Sequence, residues 1–98
     1  MNIDNINKVY FIGIGGIGMS SLARYFKSIG KEVAGYDKTP TSLTTALEEE
    51  GIKIHFTDNV ENISKTFKKN EETLIVFSPA VPKSNNELQF FVKNNFQI

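Results

Sequence analysis

Hydrophobic residues along the chain fall into short continuous runs, separated by stretches in which they recur at helical spacing. The runs favour β-structure and predict strands at residues 8–13, 31–36, 52–56 and 73–77, with a fifth strand beginning at 96–98. The intervening stretches predict helices at residues 17–29, 42–50 and 85–94, and a loop or weak helix at 59–69. Gly30 and Gly51 are placed to end the first two helices.

This alternation of strands and helices indicates parallel strand pairing with right-handed crossover connections. We predict an α/β fold, a Rossmann-like doubly wound three-layer sandwich. Its mostly parallel sheet would have about five strands in the order 3-2-1-4-5. Such sheets bind ligands beyond the carboxyl ends of their strands, where the strand order reverses. Here that point lies between the first and fourth strands.

A cluster of glycines lies at the first strand-to-helix junction. Gly13, Gly15 and Gly18 have the G-x-G-x-x-G spacing, with a predicted strand before them and a predicted helix after them. Glycine permits a tight turn and lets backbone N–H groups come close to an oxyanion. The first N–H groups of the following helix point at the same place. A diphosphate is the ligand best suited to such a site.

Polar residues follow two of the other predicted strands. Asp37 ends the second strand, where dinucleotide-binding domains place an acid that accepts hydrogen bonds from a ribose hydroxyl. Alternatively, it caps the turn at Pro40. Ser78 follows the strand at residues 73–77, and its hydroxyl either faces the ligand or satisfies its own turn.

Three further polar residues allow more than one role. Ser20 and Ser21 lie in the first turn after the glycines, where a hydroxyl either caps the helix or binds phosphate. His55 is the only histidine, and we expect it to be structural or solvent-facing because no second histidine could share a metal.

Composition narrows the class of protein. The 98 residues suffice for one domain, and equal numbers of acidic and basic residues argue against a nucleic-acid surface. There is no cysteine, and no apolar run approaches the ~20 residues of a membrane span. The first five residues lack the features of a signal peptide, so we expect a cytoplasmic location. No metal-ligand spacing or complete catalytic centre emerges.

Several segments resemble the bacterial Mur ligase family of peptidoglycan precursor synthesis. The string at residues 11–20 is similar to the family's N-terminal signature, and residues 35–37, 47–54, 78–82 and 86–88 agree in order and spacing. The resemblance implies a three-domain enzyme whose first domain binds the UDP part of UDP-N-acetylmuramic acid. It implies that a central domain binds ATP and magnesium, and that a third binds L-alanine.

On this resemblance, residues 1–98 are the UDP-sugar-binding domain, and the central and C-terminal domains of the parent enzyme are absent. The chain stops inside a predicted strand, as expected of a fragment. It is expected to bind the UDP-sugar without catalysing the ATP-dependent ligation, and to need no cofactor of its own.

The family pattern also implies the residues around the UDP moiety. The glycine loop would surround the diphosphate, Asp37 would meet the ribose or uracil, and residues after the fourth strand would form the far wall. The implied residues are Gly13, Gly15, Gly16, Ile17, Gly18, Met19, Ser20, Asp37, Ser78, Ala80 and Val81. Thr57 and Asp58 are secondary candidates, because many members carry Gly-His at that point.

Three other functions remain open from the sequence. One is a relative that attaches a recycled murein peptide to the same UDP-sugar, and another is the NAD-binding domain of an oxidoreductase. The third is a regulatory module without a ligand. On the ligase hypothesis, Gly15→Val is expected to abolish UDP binding while the fold survives.

Overall fold

The computed structural model describes residues 5–69 and 71–98. The first four residues, part of the segment examined for a signal peptide, lie outside the described residues. The described chain forms the strands β1 Lys8–Ile12, β2 Glu32–Tyr36, β3 Lys53–His55 and β4 Thr73–Phe77. The helices are α1 Ile17–Ser28, α2 Ser42–Glu49 and α3 Asn86–Lys93. Two 3₁₀ turns, Val60–Asn62 and Lys65–Lys68, occupy the segment predicted as a loop or weak helix.

The four strands form one parallel sheet in the order β3-β2-β1-β4. In its register, Val9 lies between Val33 on one side and Leu74 on the other. This arrangement confirms the predicted Rossmann-like α/β class and the order of the first four strands. A fifth strand is not confirmed. Among the described residues, one parallel bridge pairs Leu74 of β4 with Gln97, and Ile75 N–H donates to the Gln97 carbonyl over 2.8 Å.

Helices cover both faces of the sheet, because side chains alternate between faces along each strand. In β1, Val9 and Phe11 belong to the core beneath α1 and α2. Tyr10 and Ile12 belong to the opposite core, beneath α3 and the 3₁₀ turns. With both faces covered, the loops that follow β1, β2 and β4 lie together at the carboxyl ends of the strands. Within the described ranges, no helix has the length and apolar character needed to cross a membrane.

Candidate functional site

Gly13 makes the tight turn that leaves β1. Its φ of 88° is in the left-handed region, and its N–H donates to the Tyr36 carbonyl over 2.8 Å. A Cβ atom at this position would lie 2.8 Å from the Ser78 Cβ. The fold itself therefore requires glycine here, whatever the loop binds.

The N-terminus of α1 carries unpaired backbone donors. Gly16 is its N-cap residue and offers no side-chain acceptor, and the first turn contains no acidic residue. Ser20 N–H donates to the Gly16 carbonyl over 2.8 Å. The three N–H groups before it, on residues 17–19, make no hydrogen bond in the part of the chain that the structure describes. Free N–H groups at the positive end of a helix dipole attract an anion.

Asp37 closes one side of the glycine loop. Its Oδ2 accepts a hydrogen bond from Gly15 N–H over 2.7 Å, and its Oδ1 accepts one from Thr39 N–H over 3.0 Å. The second bond is of the turn-capping kind that the sequence allowed as an alternative to ribose binding. The bond from Gly15 N–H pairs a backbone donor of the glycine loop with a carboxylate of the protein itself. Each carboxylate oxygen keeps a second lone pair that can accept a hydroxyl.

The close approach of Asp37 corrects the expectation for Gly15→Val. A Cβ at Gly15 would lie 2.8 Å from the Asp37 Oδ2 and 3.0 Å from the Thr44 Cγ2. Any side chain at this position collides with the protein before it meets a ligand. Loss of binding in that variant would therefore not separate a ligand contact from a disturbed loop.

A cavity of about 350 Å³ opens beside the glycine loop, at the carboxyl ends of β1, β2 and β4. Seven of the residues implied by the family pattern line it: Gly13, Gly15, Gly16, Asp37, Ser78, Ala80 and Val81. Four more residues that neither the motifs nor the family pattern indicated as site residues also line it: Tyr36, Lys38, Pro82 and Asn85. Three of these directly adjoin implied residues, and Asn85 could have been found as a typical N-cap residue before the third predicted helix.

The remaining implied residues do not line this cavity. Ile17 is 84% exposed and follows Gly16, whereas Met19 packs partly against the core. Ser20 is buried and its hydroxyl donates to the Ile17 carbonyl over 2.9 Å, which is a bond within its own helix. Gly18 is exposed, and a Cβ there would have no atom within 4 Å.

The two secondary candidates also lie away from the cavity. The carboxylate of Asp58 accepts hydrogen bonds from Asn86 N–H over 2.8 Å and from Glu87 N–H over 3.0 Å. Asp58 therefore satisfies the first amides of α3. Thr57 is exposed, and its carbonyl accepts a 3.4 Å hydrogen bond from the Asn62 side chain.

Ser78 is engaged in its own turn. Its Oγ accepts a hydrogen bond from Ala80 N–H over 3.2 Å, and its carbonyl accepts one from Val81 N–H over 3.0 Å. The turn role that the sequence left open is thus present. The Ser78 hydroxyl hydrogen remains available, because these bonds use only oxygen lone pairs.

A buried carboxylate lies behind the cavity wall. Glu87 on α3 is fully buried, and its Oε1 accepts a 2.5 Å hydrogen bond from the Tyr10 hydroxyl. Its Oε2 lies 2.7 Å from the His55 Nε2 and accepts Asn59 N–H over 3.2 Å. Burial and the negative charge of Glu87 raise the pKa of Tyr10. His55 thus has the structural surroundings that we expected for it.

Comparison with known proteins identifies the family. The family model described as "Mur ligase family, catalytic domain" matches residues 8–98. The chain belongs to the Mur ligase family. The G-x-G-x-x-G residues therefore lie in the part of the chain that matches the Mur ligase model. They belong to a sheet whose first four strands have the predicted order.

Curated relatives match this Mur ligase chain along its whole length. It is 58% identical over 98 residues to the UDP-N-acetylmuramate–L-alanine ligase of Flavobacterium johnsoniae, covering 100% of the chain and 22% of the relative. It is 51% identical to the protein of the same name from Parabacteroides distasonis, covering 100% of the chain and 21% of the relative. The chain thus spans about a fifth of the length of these relatives.

Solved structures of Mur ligases have the same fold. The UDP-N-acetylmuramate-alanine ligase of Thermotoga maritima superposes with a TM-score of 0.81 at 32% identity, over 93% of this chain and 20% of that one. The UDP-N-acetylmuramate:L-alanyl-gamma-D-glutamyl-meso-diaminopimelate ligase of Neisseria meningitides gives 0.78 at 24% identity, over 94% and 28% respectively. The second likeness concerns the fold alone.

Proposed function

We propose that this chain is the N-terminal domain of a UDP-N-acetylmuramate–L-alanine ligase and binds the UDP part of UDP-N-acetylmuramic acid. The observation that carries the proposal is the run of free N–H groups on residues 17–19, next to the cavity where the strand order reverses. Relatives that are 58% and 51% identical along the whole length of the chain carry the name of this ligase.

The diphosphate is assigned to the N-terminus of α1. Its negative charge favours the free amides of residues 17–19 over the Gly15 amide, which already donates to the Asp37 carboxylate. The ribose would then lie near Asp37, whose remaining lone pairs can accept its hydroxyls. The turn at residues 78–81 would form the wall on the β4 side of the ligand.

The catalytic step would require the rest of the parent enzyme. ATP, magnesium and L-alanine are assigned to its central and C-terminal domains, and the domain described here would supply the bound UDP-sugar. A cytoplasmic location is part of this proposal. Of the alternatives, murein-peptide addition has less support, because relatives that are 58% and 51% identical along the whole chain are named as L-alanine ligases.

An NMR titration of the domain tests the proposal. UDP-N-acetylmuramic acid is added to the ¹⁵N-labelled chain, with UDP and NAD in parallel. We expect the amide resonances of residues 13–19, Asp37 and residues 78–81 to shift with the two UDP ligands and not with NAD. Shifts produced by NAD alone would reject the ligase function in favour of an oxidoreductase.

Gly18→Ala is the sharper probe of the diphosphate position. A methyl group at Gly18 meets no protein atom within 4 Å, and alanine favours a helix by up to about 1 kcal/mol over glycine. We therefore expect unchanged or slightly higher thermal stability, but at least a roughly tenfold weaker affinity for UDP, or about 1.4 kcal/mol. Ser28→Ala, at the other end of α1, is the control and should bind normally. Normal UDP binding by Gly18→Ala would move the diphosphate away from this turn.

A further inference from the structure

Asn85 has a side chain with a fixed orientation in the cavity wall. It is the N-cap residue of α3 and is only 7% exposed. Its Oδ1 accepts a hydrogen bond from Leu88 N–H over 2.9 Å. Because only the oxygen of a carboxamide can accept, this bond decides which atom is oxygen and which is nitrogen.

The nitrogen of this side chain is left without a partner. Nδ2 makes no hydrogen bond with any residue in the two described ranges. Asn85 also lines the cavity beside the glycine loop. The nitrogen is not among the buried polar atoms without a partner, so it keeps access to solvent on the cavity side and is free to donate to a ligand.

The surroundings of Asn85 hold it in this position. Asp58 accepts the N–H groups of Asn86 and Glu87, so the first amides of α3 are already paired with a carboxylate. The Glu87 side chain is in turn held by Tyr10 and His55. The negative charge of Asp58 disfavours a ligand anion on the α3 amides themselves, which leaves the Asn85 carboxamide as the donor at this end of the helix.

We propose that the Asn85 Nδ2 donates a hydrogen bond to an acceptor oxygen of the bound UDP-sugar. The inference rests on the proposed function and adds a specificity residue on the β4–α3 side of the cavity. A carboxamide nitrogen offers donors only, so it selects a carbonyl, hydroxyl or phosphate oxygen and rejects an amino group. Asp58 and Glu87 act as positioning residues through α3.

Two substitutions separate the donor from the helix cap. Aspartate and serine are both good N-cap residues and can accept the Leu88 N–H, but neither has a nitrogen donor. Asn85→Asp and Asn85→Ser should therefore keep the thermal midpoint of the wild type. We expect UDP-N-acetylmuramic acid to bind about five- to tenfold more weakly to Asn85→Ser, the loss of one hydrogen bond. Binding to Asn85→Asp should be weaker still, because a carboxylate would face the ligand.

Asn59→Asp is the matched control. Asn59 also caps a short helical turn, with its Oδ1 accepting Glu61 N–H over 2.9 Å, but it does not line the cavity. The control should therefore bind with wild-type affinity. Parallel titrations with uridine, UMP and UDP locate the acceptor oxygen. A loss already present with uridine places the acceptor on the nucleoside, whereas a loss first present with UMP or UDP places it on a phosphate.

The wild-type domain supplies a readout that needs no variant. The side-chain NH₂ resonances of Asn85 should shift on ligand binding, while those of Asn59 should not. Wild-type affinity in a folded Asn85→Ser, together with unmoved NH₂ resonances, would overturn the assignment of Asn85 and leave the proposed function standing. Failure of the wild-type domain to bind any uridine ligand would overturn both.

Discussion

Glu87 is a residue that connects parts of the chain far apart in sequence, since it and Tyr10 are 77 positions apart. Its carboxylate joins α3 to Tyr10 on β1 and to His55 on β3, and it is fully buried. The Tyr10 hydroxyl must be a donor in this arrangement, because a carboxylate only accepts. A donor to a buried charge stabilises the fold more than an average hydrogen bond does.

Tyr10→Phe removes this bond together with the 3.1 Å contact between the Tyr10 hydroxyl and the His55 Nε2. Removal of the hydroxyl leaves one oxygen of a buried carboxylate without a donor, and we expect the free energy of unfolding to fall by about 1–3 kcal/mol. Chemical denaturation measures the change, with Tyr25→Phe as the control at a tyrosine that is 53% exposed. Equal stability of the two variants would mean that the contacts of the Tyr10 hydroxyl with Glu87 and His55 contribute nothing net.

The same residue predicts a response to alkaline pH. The pKa of Tyr10 is raised in the folded chain, so its stabilising contribution is fully present below the ordinary tyrosine value of 10.0. That contribution is lost as the pH rises above this value, because the unfolded chain releases the proton first. We expect the unfolding free energy of the wild type to decline above about pH 10, and the decline to be smaller in Tyr10→Phe. Denaturation curves at several alkaline pH values measure it, and identical slopes would contradict it.

At the scale of elements, β2 depends on a glycine for its approach to β1. A Cβ at Gly35 would lie 2.7 Å from the Phe11 carbonyl oxygen and 2.9 Å from the Ile14 Cδ1. The first of these atoms belongs to the backbone of the central strand, which cannot move without disturbing the parallel ladder. Gly35 is therefore a packing requirement of the sheet.

Gly35→Ala is expected to lower the free energy of unfolding by about 1–3 kcal/mol, as overpacking of a core does. Gly18→Ala adds the same methyl group where no atom lies within 4 Å, so it is the matched comparison for thermal denaturation. If both variants unfolded at the same temperature, the close approach of β2 to β1 would not be the reason for glycine at residue 35.

The elements were largely predictable from the sequence, but the contacts between them were not. Apolar runs placed the four strands, and helical spacing placed the three helices, with each end within one residue of its place in the structure. Periodicity indicates which face of a strand or helix is buried. It does not indicate which residues of other elements contact that face. The Asp37 bond to Gly15 and the Asp58 bonds to α3 join residues far apart in sequence, so no local pattern indicates them.

For the whole molecule, the sheet order predicts a gradient of local stability. β1 pairs with β2 on one side and β4 on the other, and residues 9–12 are buried. β3 lies at the edge with three residues, and the 3₁₀ turns after it are short. Opening of β3 alone exposes little apolar surface, because Lys53 is exposed and Ile54 is half-buried, whereas opening of β1 removes the centre of both cores.

Hydrogen exchange measures this gradient residue by residue. The amides of residues 9–12 should exchange most slowly, at rates set by global unfolding, and those of residues 53–55 should exchange much faster. In Tyr10→Phe the slowest amides should exchange faster, because the variant lowers the free energy of global unfolding. Uniform protection across β1 and β3 would contradict the gradient.

The bond between Asp37 and Gly15 also affects the entropy change when a ligand binds. Because this bond forms within the chain, the conformational freedom of the glycine loop is lost during folding rather than on association. A ligand that reaches the loop then meets amides that are already oriented, and association at this edge becomes docking to a prearranged surface. The entropic penalty of binding falls mainly on the flexible bonds of the ligand itself.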